Sequence, residues 1–258
     1  MIVIKNEDQI ARMAVACEVA GNLLAGLRSF IRPGITTKDI DHKVEEYIRK
    51  HDQAPAFKGY GGFPGSACVS VNEEIIHGIP SPKKILREGD LVKVDLGSVY
   101  KGYYSDCART YSVGKVTEEN ARLMKVAEES FFEGLKFARK GNRIGDIGHA
   151  IQSYVEAAGF SVIRDYVGHG IGSDMHEDPP VPNYGKPGHG PKLVPGMCLA
   201  IEPMIAAGKY QVKVLDNEWT VVTKDGSCTA HYENTVVITD GEPRILTCFD
   251  RDDVAQNA

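Results

Sequence analysis

At 258 residues with 42% hydrophobic composition, the chain has enough apolar material for one large domain or two small ones. A formal net charge of −5 argues against nucleic acid as its main partner. No apolar run reads as long enough to cross a bilayer, the N-terminus carries no signal-peptide core, and six cysteines without a CxxC read as buried free thiols in a reducing cytoplasm.

The first predicted element is a helix. Asn6 caps it, Glu7 and Asp8 follow in its first turn, and Ile10, Met13, Cys17, Ala20, Leu24 and Leu27 recur at helical spacing. Pro33-Gly34 ends it, and Thr36 caps a second helix with Ile40, Val44, Tyr47 and Ile48 on one face. Ala67–Val71 reads as a strand. Leu91–Leu96 and Tyr103–Ser112 read as strands flanking a turn at Lys101-Gly102. Thr117 opens a long helix to about Arg139, Gly141 breaks it, and another runs from about Ile144 to Ala158. Met197–Met204, Trp219–Thr223 and Tyr232–Thr239 read as closing strands. Cys17 falls on a helix, and Cys68, Cys107 and Cys198 fall on strands.

One spacing occurs twice. Gly34-x4-Asp39-Ile40-x-His42-x4-Tyr47-Ile48 returns as Gly141-x4-Asp146-Ile147-x-His149-x4-Tyr154-Val155. Each copy follows a long helix and precedes strands. Two similar halves are expected, about 1–113 and 114–250, forming one domain over 1–258 with pseudo-twofold symmetry and a site between them.

Tyr166–Tyr184 reads as a functional loop, too irregular for a helix and too rich in glycine and proline for an interior strand. Gly168 and Gly170 frame His169, as if another group must approach it closely. Four acids interrupt apolar strands: Asp95, Asp106, Glu202 and Glu233. If Lys101-Gly102 is a two-residue turn, residue 95 pairs with residue 108, and Asp106 lies diagonally from Asp95 on the same face, roughly 7–8 Å away. Alone, each acid is more often a turn cap or a salt-bridge partner. Together they would repel unless a cation intervenes. Two divalent ions would cancel four carboxylates, and oxygen donors with one imidazole suit manganese, iron, cobalt or zinc.

Asp95, Asp106, His169, Glu202 and Glu233, in this order, resemble the metal ligands of methionine aminopeptidases. The loop from Tyr166 to Tyr184 is similar to the pattern of the bacterial-type, type I members. The resemblance covers nearly the whole chain. The bacterial-type resemblance implies a chain without the zinc-finger extension of many eukaryotic type I members or the helical insertion of type II members. The family implies an α+β "pita-bread" (creatinase/aminopeptidase) fold, with two pseudo-symmetric halves and an antiparallel sheet around a dimetal site of the M24 peptidases. Asp95 would then bind one ion, Asp106 and Glu233 would bridge two, and His169 and Glu202 would complete the second. The ions would be cobalt, manganese, iron, zinc or nickel, and the family also implies a monovalent cation near Asn72.

The resemblance further implies removal of the initiator methionine from nascent polypeptides whose second residue is small. A hydroxide bridging the two ions would attack the first peptide carbonyl. His176 would bond that carbonyl, Glu202 would carry the proton to the leaving amine, and His77 would assist. Tyr60, Phe63, Cys68, His77, His176 and Trp219 would bind the substrate. By their residues alone, His77 is an ordinary loop histidine and the aromatic group is core packing. Phe57 stands where the family often has cysteine and Met175 where it often has phenylalanine, both expected at the pocket rim. A cytoplasmic monomer with transient ribosome contact is expected, with Lys83, Lys84 and Arg87 as contact candidates and no membrane or nucleic-acid specificity. The rival readings are an Xaa-Pro aminopeptidase or prolidase of the same fold, and a catalytically inactive binding module.

Overall fold

Each helix begins where the sequence supplies acceptors for its free N–H groups. In the computed structural model, which describes residues 1–247, α1 spans Glu7–Phe30, α2 Thr37–Lys50, α3 Glu118–Leu135 and α4 Ile144–Ala157. The expected end of the second half near residue 250, and Cys248, lie outside the described residues. Asn6 Oδ1 accepts from Gln9 N at 3.0 Å, and Gln9 Oε1 accepts from Asn6 N at 2.8 Å. The repeated spacing has a local meaning. Gly34 and Gly141 take left-handed φ values of 92° and 96°, which glycine tolerates. Asp39 and Asp146 then each accept a hydrogen bond at 2.7 Å, from Thr36 N and Arg143 N respectively. The third helix stops at Leu135 rather than near Arg139, because Phe137 N and Ala138 N turn back to Gly134 O and Leu135 O, only three residues away.

The first helix is long and apolar enough to cross a membrane by length and composition, which the sequence reading did not anticipate. Here its apolar stripe is packed: Met13, Cys17, Ala20, Leu24 and Leu27 are all buried.

The central sheet has eight strands: β1 Ala67–Val71, β2 Leu91–Leu96, β3 Cys107–Ser112, β4 Gly168–Gly170, β5 Glu177–Val181, β6 Cys198–Ile201, β7 Glu233–Val237 and β8 Arg244–Ile245. Their order is β5-β4-β6-β7-β3-β2-β1, all antiparallel, with β8 pairing to β7. One face carries Val92, Val94, Leu96, Val69 and Tyr111 into a core with α1 and α2. At the other end of the sheet, Val181, Leu199, Ile201 and Val236 pack with residues of α3 and α4. The alternate residues on these strands point to the opposite face, where Ile171, Cys198 and Val237 pack with Met13 and Cys17 of α1 at one end.

Several expected strands are interrupted. Tyr103–Ser112 breaks after Tyr104 and resumes at Cys107, Met197–Met204 breaks at Glu202-Pro203, and Tyr232–Thr239 begins at Glu233 after a separate strand Thr229–His231. At each break the chain passes from the central sheet to a three-stranded one. Three of the four acids stand at these crossings, where a carboxylate can turn inward without displacing ladder bonds. Tyr166–Tyr184 differs in the opposite sense: β4 is an interior strand within it. Its glycines serve close packing, since a Cβ on Gly168 would meet the carbonyl oxygen of Ala200 and one on Gly170 that of Asp178.

Candidate metal centre

Register brings the site together. Asp95 and Glu233 both lie opposite Ala108, from the strands on either side. Residues directly opposite share a face, so both carboxylates flank one small side chain, and Asp106, two residues from Ala108, joins them. His169 lies opposite Ala200, two residues from Glu202, and Thr235 lies opposite Ala200 on the other side, two residues from Glu233. Asp95, His169 and Glu233 thus stand on β2, β4 and β7, with Asp106 just before β3 and Glu202 just after β6, so the five expected ligands follow five consecutive strands of the sheet. The small Ala108 and Ala200 keep the space between them open.

The centre is buried. Asp106, His169, Glu202 and Glu233 are each 9% exposed or less. Burial, reinforced by the neighbouring acids, pushes the carboxyls of Asp95, Glu202 and Glu233 well above the usual range, and burial raises Asp106 to about 7. Asp95 Oδ1 and Asp106 Oδ1 are buried with no hydrogen-bond partner. Such a set of converging, unsatisfied oxygens fits divalent cations and little else. His169 Nδ1 contacts its neighbour's carbonyl, Gly170 O, at 2.8 Å, leaving Nε2 to face the acids, 3.6 Å from Asp106 Oδ2 and 3.7 Å from Glu202 Oε1. Asn183 supports the far side by donating from Nδ2 to Glu202 O at 2.9 Å.

Above the acids lies a cavity of about 170 Å³, lined by all five expected ligands together with Tyr60, Phe63, Cys68, His77, His176 and Trp219. That size admits a group about as large as benzene. Phe57 and Met175 line it too, packed with Phe63 and Cys68 rather than standing at a rim. Trp219 meets Phe63 edge-on at 5.1 Å. It lies in a turn before its expected strand, because Asn217 Oδ1 accepts from Trp219 N at 3.1 Å and from Thr220 N at 2.9 Å. Tyr60 Oη lies 2.9 Å from His176 Nδ1, whose ring stands 4.2 Å from that of His169. His77 takes a left-handed φ of 57°, a strained conformation for a non-glycine residue that sites of function often hold. Burial, with His176 and His169 nearby in turn, pulls both His77 and His176 down to about 4, so they are neutral imidazoles.

The sequence model of metallopeptidase family M24 matches residues 11–240. The chain belongs to that family. A methionine aminopeptidase of Clostridium acetobutylicum is 57% identical over 247 residues, covering 96% of this chain and 99% of that protein. The crystal structure of methionine aminopeptidase from Thermotoga maritima superposes with a TM-score of 0.95 at 47% identity, over 96% of this chain and all of that one. Prolidase from Pyrococcus furiosus shares the fold at a TM-score of 0.77 and 25% identity, but only 66% of its chain is covered. The pita-bread α+β architecture and the metallopeptidase assignment follow, and divalent ions are the family's cofactor. The full-length likeness lies with the methionine aminopeptidases, not the prolidases.

Two features of this family member were not read from the sequence. His231 is 1% exposed, with neither ring nitrogen hydrogen-bonded, and Nε2 lies 3.7 Å from Glu202 Oε2 and 3.8 Å from Glu233 Oε2. Its signal was available: it stands two residues before Glu233, the spacing that shares a face. At Asn72, where a monovalent cation is expected, the carbonyl oxygen already accepts from Lys93 Nζ at 2.7 Å and from Thr229 Oγ1 at 2.8 Å. Lys93 is fully buried, and burial lowers its amine to about 7.

Proposed function

We infer that the protein removes the N-terminal methionine from newly made polypeptides when the second residue is small. The observation that supports this most strongly is one cavity in which four acids and His169, drawn from five neighbouring strands and their ends, form the floor and an apolar, Trp219-bearing wall rises beside them. Asp95, Asp106, His169, Glu202 and Glu233 would hold two divalent ions, with Asp106 and Glu233 shared. Bound there, such ions supply an activated water and polarise the scissile carbonyl.

The chain's own residues do the rest. Tyr60, Phe63, Cys68 and Trp219 enclose an unbranched thioether, which suits contact with an aromatic face. His176, neutral and held by Tyr60, donates to the carbonyl oxygen as charge develops on it. Glu202, oriented through Asn183, carries the proton to the leaving amine, and His77 assists from the wall. The floor takes the free N-terminal amine, so only the first residue is cleaved.

The two helix–turn repeats fit two halves, about 1–113 and 114–250, enclosing a single catalytic domain. A cytoplasmic location fits the free cysteines among the described residues, and a monomer acting near the ribosome is what the family resemblance implies. Of the proposed ribosome contacts, Lys84 is paired with Glu74, which leaves Lys83 and Arg87 as the better candidates. A monovalent ion at Asn72 would share its carbonyl with the Lys93 ammonium.

The test is hydrolysis of Met-Ala-Ser after chelation and re-addition of cobalt, manganese, iron, zinc or nickel singly. Cleavage that disappears with chelation and returns with metal is expected, with Ala-Pro-Ala left intact. Cleavage of Ala-Pro-Ala alone would favour the prolidase reading. Metal uptake without hydrolysis of either peptide would favour an inactive module.

A further inference from the structure

We propose that His231 is a sixth protein ligand of the metal centre, giving the first ion, held by Asp95 and Glu233, an imidazole of its own. The proposal rests on the metallopeptidase reading and deepens it, because the expected ligand set leaves that ion with oxygen donors alone.

The distances carry the argument. Two donors each about 2.1 Å from one ion lie about 3.4 Å apart at a tetrahedral angle and about 3.6 Å at a trigonal one. His169 Nε2 stands 3.6 and 3.7 Å from Asp106 and Glu202, acids expected to share its ion. His231 Nε2 stands 3.7 and 3.8 Å from Glu202 and Glu233. Glu202 belongs with the second ion, so the spacing that bears on the first is that to Glu233: like the two spacings of His169, it is too far for a hydrogen bond and close to the separation of co-ligands. Donor atoms of Asp95, His231 and Glu233 lie within 4.8 Å of one another, as do those of Asp106, His169 and Glu233. Each group is one aspartate and one histidine, and Glu233 is common to both. A buried imidazole with neither nitrogen bonded is costly, and a metal on Nε2 answers half of that cost. Nitrogen at both positions also shifts preference from manganese toward iron, cobalt and zinc.

The test counts imidazoles. Protein loaded with two equivalents of cobalt(II) is measured by cobalt K-edge X-ray absorption, and metal affinity by calorimetry, for the wild type, His231→Gln and His169→Gln. The wild type is expected to average one imidazole per cobalt, and each variant one-half. His231→Gln is expected to weaken one of the two binding events by more than about tenfold. A wild-type average of one-half, unchanged in His231→Gln, overturns the proposal. So does uptake of a single cobalt whose one imidazole survives His231→Gln. Should the variant fail to fold, a crystal of the cobalt-loaded wild type decides: Nε2 of His231 at about 2.1 Å from an ion supports ligation, and no ion within bonding distance overturns it. One imidazole per cobalt in a protein inactive on Met-Ala-Ser would sink the proposed function and leave this ligand intact.

Discussion

The floor and the wall of the cavity are built by opposite means. The floor is five side chains on or next to consecutive strands of one sheet, fixed by register, with the acids raised in energy by their own crowding. The wall is aromatic and apolar side chains carried by turns at Tyr60, His77 and Trp219, far apart in sequence and held by packing. The floor is a stiff arrangement that stores unfavourable electrostatics until cations arrive. The wall costs nothing electrostatically and sets only what fits. Catalysis should therefore fail with the floor, and selectivity with the wall.

The largest expected effect breaks the floor. Asp106→Ala or Glu233→Ala removes an acid proposed to be shared by the two ions. Turnover on Met-Ala-Ser should fall by more than about 10³-fold, since losing even a single oxyanion donor in other enzymes costs 10²–10³. Circular dichroism should stay native, because each change also relieves repulsion. Near-wild-type turnover in either variant would show that the two ions do not act together. His176→Ala comes next, at the seam between floor and wall. It should lower kcat roughly 100-fold with KM nearly unchanged, as expected for a group engaged in the transition state. A change confined to KM would move His176 to the wall.

The two regions also differ in how readable they are. Asp95 and Asp106 stand out because acids are costly in apolar strands, and the Lys101-Gly102 turn gave the correct pairing of residues 95 and 108. Glu202 and Glu233 stand out for the same reason, but periodicity ran their strands through the sheet crossings, because a carboxylate's need to leave the ladder has no period. His169 was marked by its glycines, though these signal close strand packing and not a loop. The wall left no such mark. An aromatic on a turn looks the same in sequence whether it lines a slot or fills a core, and only the family resemblance pointed to Trp219 and His77. His231 lay in plain sight at the same-face spacing from Glu233, masked by a chain break at Tyr232 that makes the strand pattern ambiguous.

A wall change should act on selectivity. Trp219→Ala removes one face of the slot. It should lower kcat/KM for Met-Ala-Ser about tenfold, mainly through KM, and narrow the preference for methionine over leucine at the first position. This is the scale on which apolar pockets discriminate. A loss expressed wholly in kcat would mean that Trp219 positions the reacting groups.

The smallest effect, a few degrees, is expected without substrate, in the stability of the metal-free protein against pH. Carboxyls raised on folding bind more protons folded than unfolded between about pH 4 and their folded values, so stability falls as pH rises there. Asp106 is raised to about 7, and its three neighbours are raised well above their usual range. Buried histidines act oppositely: His77 and His176 at about 4 and His231 at about 3 favour folding increasingly up to about pH 6.5 and then no further. The two trends oppose each other at acid pH; above about 6.5 the histidines contribute no further change, and only the buried Lys93, lowered to about 7, favours folding with rising pH against the four raised acids. With four raised acids set against one lowered lysine, Tm in the presence of chelator should decline between pH 6.5 and 8, by roughly 2–4 °C for each kcal/mol lost in a domain of this size. Two equivalents of cobalt should raise Tm more at pH 8 than at pH 6.5, because the ions compete with protons for the same oxygens. Glu233→Gln should flatten the chelated profile, whereas Trp219→Ala should shift it downward without changing its slope. Parallel profiles in all three proteins would mean that the strain does not reside in the floor.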